Sequence, residues 1–206
     1  MGRERRSALF LVLLAALVAV GAGCRGGQVS ATVPATAPDE ALAGAKMTML
    51  DDFDGALSWA LEKDWGDPAA VEAAAGAMVV RLEPGKMAKN VVSRALAPPR
   101  DLSKHNAILV DVTSELKADC LVGLALITTA EGTFIETPSA VVRPGANRNI
   151  VFRLDARNFK NTVSKWEHNQ SAGDLSTVHK IILLVSAKSS GVVRVDNMRL
   201  AILPKR

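Results

Sequence analysis

The sequence predicts an all-β body, a two-sheet antiparallel β-sandwich or jelly roll with minor helix. Three observations carry this. Short runs alternate apolar and polar side chains with a period of two, the pattern of half-buried strands. Clusters of Gly, Pro, Asn and Ser punctuate those runs. No internal repeat and no parallel βαβ spacing competes with them, and strands with one apolar face must close against a second sheet.

Met47 to Phe53 reads as a first short strand. Pro68 to Gly76 is rich in alanine and is expected to form a short helix. In the next run Met78, Val80 and Leu82 share one face. Ile108, Val110 and Val112 do the same, with Asp111 and Thr113 opposite. Leu121 to Ile127 has the continuous apolar pattern of a buried strand, and Cys120 before it reads as a small core hydrophobe. Ile150, Phe152 and Leu154 alternate with Val151, Arg153 and Asp155, and Asp155 to Lys160 is expected to turn. Val178 to Val185 and Gly191 to Ile202 close the chain. Turns are expected at Glu83-Pro84-Gly85, Pro98-Pro99, Pro144-Gly145-Ala146-Asn147 and Ser189-Ser190-Gly191.

The last run carries an irregularity. Val193 and Val195 are apolar at odd positions, whereas Met198, Leu200 and Ile202 are apolar at even ones. A strand that keeps its apolar face inward changes phase only through a bulge or bend, expected at Asp196-Asn197. Bulges re-aim side chains. Asp196 is therefore expected to point at something, such as a cation shared with Asp51-Asp52-Phe53-Asp54-Gly55, if first and last strands lie side by side.

The N-terminus reads as an address. Arg3, Arg5 and Arg6 precede an uncharged run from Ser7 to Val20, the layout of a secretory signal peptide. That run falls short of the roughly 20 residues that cross a bilayer. Val20-Gly21-Ala22-Gly23-Cys24 resembles the lipobox of bacterial lipoproteins, with Gly21 where Leu is usual. The resemblance implies cleavage before Cys24 and acylation of that residue. The plainer alternative is an ordinary signal peptide with a nearby cysteine. Residues 25–45 are mostly Gly, Ser, Thr, Pro and Ala, too polar to offset their ordering entropy. The expected organisation is a signal peptide over 1–23, a lipidated flexible tether over 24–45 and a folded domain over 46–206. Arg25 in place of Asp after the cysteine points to the outer membrane, facing the periplasm or the cell surface.

Charge and motifs exclude more than they assign. The chain carries 25 Lys+Arg and 21 Asp+Glu. Removing Arg3, Arg5, Arg6 and Glu4 with the leader nearly balances the remainder, so no basic footprint for nucleic acid exists. With Cys24 lipidated, Cys120 has no partner for a disulfide. His105, His168 and His179 are scattered and form no metal pair. No G-x-S-x-G, H-E-x-x-H, P-loop or E-x-D-x-x-E run is present, which argues against an enzyme.

Four segments occur in a telling order: "DDFDG" with a downstream Trp, "DLSKHNAILVDV", "RPGANRNIVFRLDARNF" and "GVVRVDNMRL". From Asp51 to Leu200 the chain resembles the galactose-binding-like jelly rolls found as carbohydrate-binding modules beside glycoside hydrolases. The resemblance implies a non-catalytic module, often with one structural Ca2+ near the first strand, at positions matching Asp52 and Asp196. Calcium takes six to eight oxygen ligands, which two carboxylates and backbone carbonyls can supply. The alternative is a solvated strand entry and an Asp196 that accepts a backbone hydrogen bond.

A sugar site needs aromatic faces and forked polar groups. This chain has no Tyr and 4% aromatics. The resembling modules tend to carry Tyr and Trp at positions that read His105 and Ala146 here. Trp59, Trp65, Trp166, Phe134 and Phe159 remain outside the clear strand cores. Trp166, His168 and Asn169 sit in a run of hydrogen-bonding residues and form the candidate ligand contact; the alternative is a Trp that plugs the sandwich edge. Two functions follow. One is a membrane-tethered module for a glycan or envelope polymer. The other is a structural lipoprotein with a protein partner in an envelope complex and no sugar binding.

Overall fold

The computed structural model describes residues 42–67, 69–129 and 132–204. The signal peptide, Cys24 and all but the last four residues of the expected tether lie outside the described residues. The domain is all-β and builds two antiparallel sheets, as the alternation predicts.

Sheet 1 holds β1 (Lys46–Asp51), β3 (Ala69–Ala74), β4 (Ala77–Leu82), β6 (Ala107–Ser114), β10 (Gly145–Arg153) and β12 (Gly191–Ile202). Their order is β10-β6-β12-β4-β3, with β1 also paired to β12. Sheet 2 holds β2 (Ala60–Leu61), β5 (Asn90–Arg100), β7 (Cys120–Ile127), β8 (Phe134–Glu136), β9 (Ala140–Val142) and β11 (Val178–Ser186), ordered β2-β5-β11-β7-β8 with β9 on β7.

The inward faces form one core. Met78, Val80 and Leu82 from β4 and Ile108, Val110 and Val112 from β6 meet Val122, Leu124 and Leu126 of β7 and Ile181, Leu183 and Val185 of β11. Cys120 joins them, 2% exposed, and burial pushes its thiol pKa up, the mark of an inert packing residue. Each fully buried side chain of this size contributes about 1.5–3 kcal/mol.

Of the expected helix, the described residues 69–76 form none. Ala69–Ala74 is the edge strand β3, paired to β4 from Ala69↔Leu82 to Ala74↔Ala77. The two residues between the strands, Ala75 and Gly76, both have positive φ (51° and 70°), the geometry of a type I′ hairpin turn. Tertiary pairing here overrides alanine's helix preference. Gly76 suits its positive φ, and a Cβ there would push the exposed Asp54 side chain aside, its Oδ1 lying 2.7 Å away. Pro98-Pro99 also departs from expectation and lies within β5 rather than in a turn. It sits where the β5–β11 register slips, between Ala95↔Lys180 and Arg100↔Val178, so its missing N–H interrupts no ladder bond.

The first and last strands lie side by side, with Lys46↔Ile202 to Asp51↔Met198 in register. The bulge falls where the phase slips, between Asp196↔Asp111 and Arg199↔Leu109. A second bulge in β10, between Asn147 and Ile150, flanks the same point of β6 from the other side. Asn149 and Asn197 take the left-handed conformations of these bulges (φ 56° and 49°). Asp111 joins both: it accepts from Asn149 N–H at 2.8 Å, Arg199 Nη2 at 2.7 Å and Asn197 Nδ2 at 3.4 Å.

One ion pair ties the layers. Arg94 faces inward from β5 and pairs with Asp51 at the end of β1, in the opposite sheet; the side chains are 25% and 12% exposed. Asp51 also accepts from Trp59 Nε1 at 2.8 Å and Phe53 N–H at 2.9 Å. On the outer face of sheet 1, Leu42 and Ala45 pack on Ala107, Leu109, Ala201 and Leu203, so ordered packing begins before Lys46.

Candidate functional site

The outer face of sheet 2 gathers aromatic side chains that lie far apart in sequence. Strand alternation sends Ile135 into the core and Phe134 and Glu136 outward from β8. The same alternation puts Val91, Ala125, Ile182 and Leu184 on the outer face, where they are nevertheless buried. Trp65, in the turn after β2, and Phe134 pack against this apolar floor.

Trp166 arrives from the segment between β10 and β11. That segment docks on β8 through reciprocal backbone bonds between Glu136 and Lys160 (3.0 and 2.9 Å), and Phe159, 0% exposed, anchors it. The following turn is closed by Asn161 N–H to Ser164 Oγ (3.0 Å) and Ser164 N–H to Asn161 Oδ1 (2.8 Å). Lys165 and Trp166 then both adopt positive φ, 53° and 66°. A bulky residue in that region is held there by its surroundings. The indole it presents is 53% exposed.

Phe134 sits 5.8 Å from Trp65, edge-on at 85°, and 5.9 Å from Trp166, tilted by 53°. The rings are walls rather than a flat platform. With Lys89 and Glu136 they line a groove of about 240 Å³. Pockets for drug-sized ligands run to roughly 300–1,000 Å³, so this groove is small.

Lys89 and Glu136 line the groove, and further charges stand on the same side of the sheet. Lys89 Nζ lies 5.2 Å from the centre of a Trp65 ring. Glu136 pairs with Lys160 at 2.7 Å. Glu62 pairs with Lys180 at 2.8 Å and accepts from Ser93 Oγ. Lys180, with help from Ser93, holds the Glu62 pKa below the usual carboxylate value.

Trp166 is thus brought to Phe134 and Trp65, whereas His168 and Asn169 do not line the groove. His168 Nδ1 bonds to the Asn158 carbonyl at 2.8 Å. Asn169 donates to Glu167 Oε2 at 3.1 Å and accepts from Gln170 at 2.9 Å. Trp59 is a core residue, 4% exposed and stacked on Phe53. Lys89, Glu136, Glu62 and Lys180 were not singled out in the sequence. Glu136 and Lys180 are charged residues at strand positions, which is common in any sheet, and Glu62 and Lys89 lie just outside β2 and β5 with no local signal.

Two other clefts lie elsewhere. One of about 400 Å³ on sheet 1 is lined by Asp111, Ala146, Arg194 and Asp196 among others, with no aromatic ring. One of about 230 Å³ is lined by Asp51, Asp52, Trp59 and Arg94 among others. Asp52 and Asp196 therefore open onto different clefts. Asp52 accepts from Asp54 N–H at 3.2 Å, and Asp196 from Asn197 N–H at 2.6 Å and Asn197 Nδ2 at 3.0 Å. Burial, with Asp111 and Asp54 nearby, raises the Asp196 pKa. Among the described residues no group of three or more His, Cys, Asp or Glu side chains is placed to share a metal ion.

No family model matches the chain. No curated protein matches it. Solved structures do. The family 11 carbohydrate-binding module from Clostridium thermocellum, in complex with a β-1,3-1,4-mixed-linked tetrasaccharide, is 22% identical over 75% of this chain and 94% of its own, with a TM-score of 0.57. The solution structure of CtCBM11 gives 20% identity, 78% and 96% coverage and a TM-score of 0.60. An agarase, AgWH50C, gives 13% identity over 77% of this chain and 25% of its own, with a TM-score of 0.59. At these identities the likeness establishes the jelly-roll fold shared with carbohydrate-binding modules.

Proposed function

We propose that this domain is a non-catalytic carbohydrate-binding module whose ligand, a glycan or envelope polymer, occupies the outer face of sheet 2. The observation that carries the reading is the convergence of Trp166, Phe134 and Trp65 over an apolar floor beside charged hydrogen-bonding groups. Aromatic walls take the C–H faces of a sugar, and the polar rim takes its hydroxyls. The leader and Cys24 extend the proposal to a lipid-anchored protein of the cell envelope, in the outer membrane. Two or three acyl chains anchor firmly, where one alone is marginal.

Affinity electrophoresis through gels containing single polysaccharides tests the sugar site. Wild type is expected to be retarded by at least one polymer and Trp166→Ala to migrate freely, with the same melting temperature. A wild type that no polymer retards sinks the reading. Metabolic labelling with a fatty-acid probe tests the anchor: label on the wild type and none on Cys24→Ala is expected.

One observation favours a second reading, an envelope scaffold with a protein partner. Val163, 81% exposed, stands beside Trp166 on the same turn. Together they make an apolar knob of the kind found at protein interfaces. Cross-linking from that turn to an envelope protein, with no polysaccharide retardation, would favour it.

A further inference from the structure

We propose that the aromatic groove selects an anionic sugar, one bearing a carboxylate or sulfate, through Lys89; this rests on the reading that the face binds sugar. The groove's charges are not balanced. Its carboxylate, Glu136, is already paired with Lys160. The neighbouring carboxylate, Glu62, is already paired with Lys180. Lys89 faces the groove with the Trp65 ring and has no carboxylate partner among the described residues. Among the residues that line the groove, Glu136 is neutralised by Lys160, and the unbalanced charge is the Lys89 ammonium.

That ammonium is held in place. The backbone of Lys89 is fixed on both sides by Asp67, whose N–H donates to the Lys89 carbonyl at 2.7 Å and whose Oδ2 accepts from Lys89 N–H at 3.1 Å. Asp67 Oδ1 accepts from Met87 N–H at 2.8 Å and fixes the approach to the site. Lys89 is half-buried, and its Nζ lies over the Trp65 ring. A sugar ring lying between Trp65 and Trp166 would bring an acidic substituent against Lys89 Nζ. The cation would exchange a ring-face contact for a charge-assisted hydrogen bond, the stronger interaction.

The test uses the full chain in detergent and three polymers: a polyuronate, a sulfated galactan and a neutral mixed-linked β-glucan. Wild type is compared with Lys89→Gln, Trp166→Ala and the remote control Lys117→Gln, each first shown to melt as wild type does. The expected result is retardation by a charged polymer, weakened about tenfold or more by Lys89→Gln and by Trp166→Ala but not by Lys117→Gln. The uronate and sulfate arms then show which anion is taken. Retardation by the neutral polymer alone, lost in Trp166→Ala and kept in Lys89→Gln, overturns this proposal and leaves the sugar face standing. Equal binding of charged polymers by all four proteins is ion exchange and overturns it too. No retardation by any polymer overturns both readings.

Discussion

The pair formed by Asp51 and Arg94 spans the two sheets, and its removal should be felt by the whole fold. Asp51→Asn leaves the guanidinium of Arg94 without its counter-charge and keeps only one oxygen, so either the Phe53 amide, now on Oδ1, or Trp59 Nε1, now on Oδ2, meets an NH2 group in place of an acceptor. Breaking a fully buried ion pair from one side costs about 3–5 kcal/mol. Side chains 12% and 25% exposed keep some solvent contact, so about 2–3 kcal/mol is expected here. For a domain of this size each kcal/mol moves the midpoint by about 2–4 °C, which gives a fall of about 4–12 °C. Arg94→Met should fall by a similar amount, because it strands the Asp51 carboxylate. The double variant leaves no charge stranded and should lie well above the sum of the two losses, with a coupling of about 1–3 kcal/mol. Calorimetry or circular-dichroism melts of the four proteins close the cycle. A coupling near zero would refute the strut, as would an Asp51→Asn midpoint equal to wild type.

Four other outcomes are expected. Asp52 and Asp196 open onto different clefts, so the domain should melt at the same temperature with and without EDTA; a fall that calcium restores would show that an ion is held. Ala75 occupies a positive-φ turn position that Asn fills more readily, so Ala75→Asn should raise stability by about 0.5–1 kcal/mol in a urea titration. Burial holds the Asp196 pKa above its unfolded value, so its ionised form works against folding at neutral pH and stability from this group rises as pH falls through the raised value. Asp196→Asn, which keeps an acceptor for the Asn197 amide, should therefore melt higher than wild type at pH 7, with the gap closing in acid. Glu62 has the opposite sign: paired with Lys180, its pKa is depressed, and its contribution is lost as pH falls through that value. Glu62→Gln should accordingly lower the midpoint at pH 7 and converge with wild type in acid melts.

The alternation of Met78 to Leu82, of Ile108 to Thr113 and of the last two strands was legible because each buries one face, and burial writes a period of two into the sequence. The slip at Asp196-Asn197 was legible for the same reason, since a bulge must reset that period. Strand β3 was not legible: alanines on an exposed edge carry no contrast between faces, and only pairing with β4 makes them a strand. The short strands β2, β8 and β9 are too brief to show a period at all. At the candidate site, the three aromatic residues could be suspected singly. Trp65, Phe134 and Trp166 belong to separate parts of the chain, and only the strand order of sheet 2 brings them within two ring contacts. Lys89 gave no signal, because its role depends on which neighbouring lysines already have partners.

Leu42 and Ala45 come onto the domain over the sheet opposite the aromatic groove. If the anchor lies upstream, a polymer caught in the groove and a membrane holding the N-terminus would pull on opposite faces of the body. The load would then pass through the thickness of the sandwich rather than along one layer. Its resistance would depend on whatever crosses between the layers, with Arg94 and Asp51 fastened at the end of the strand that takes the strain first.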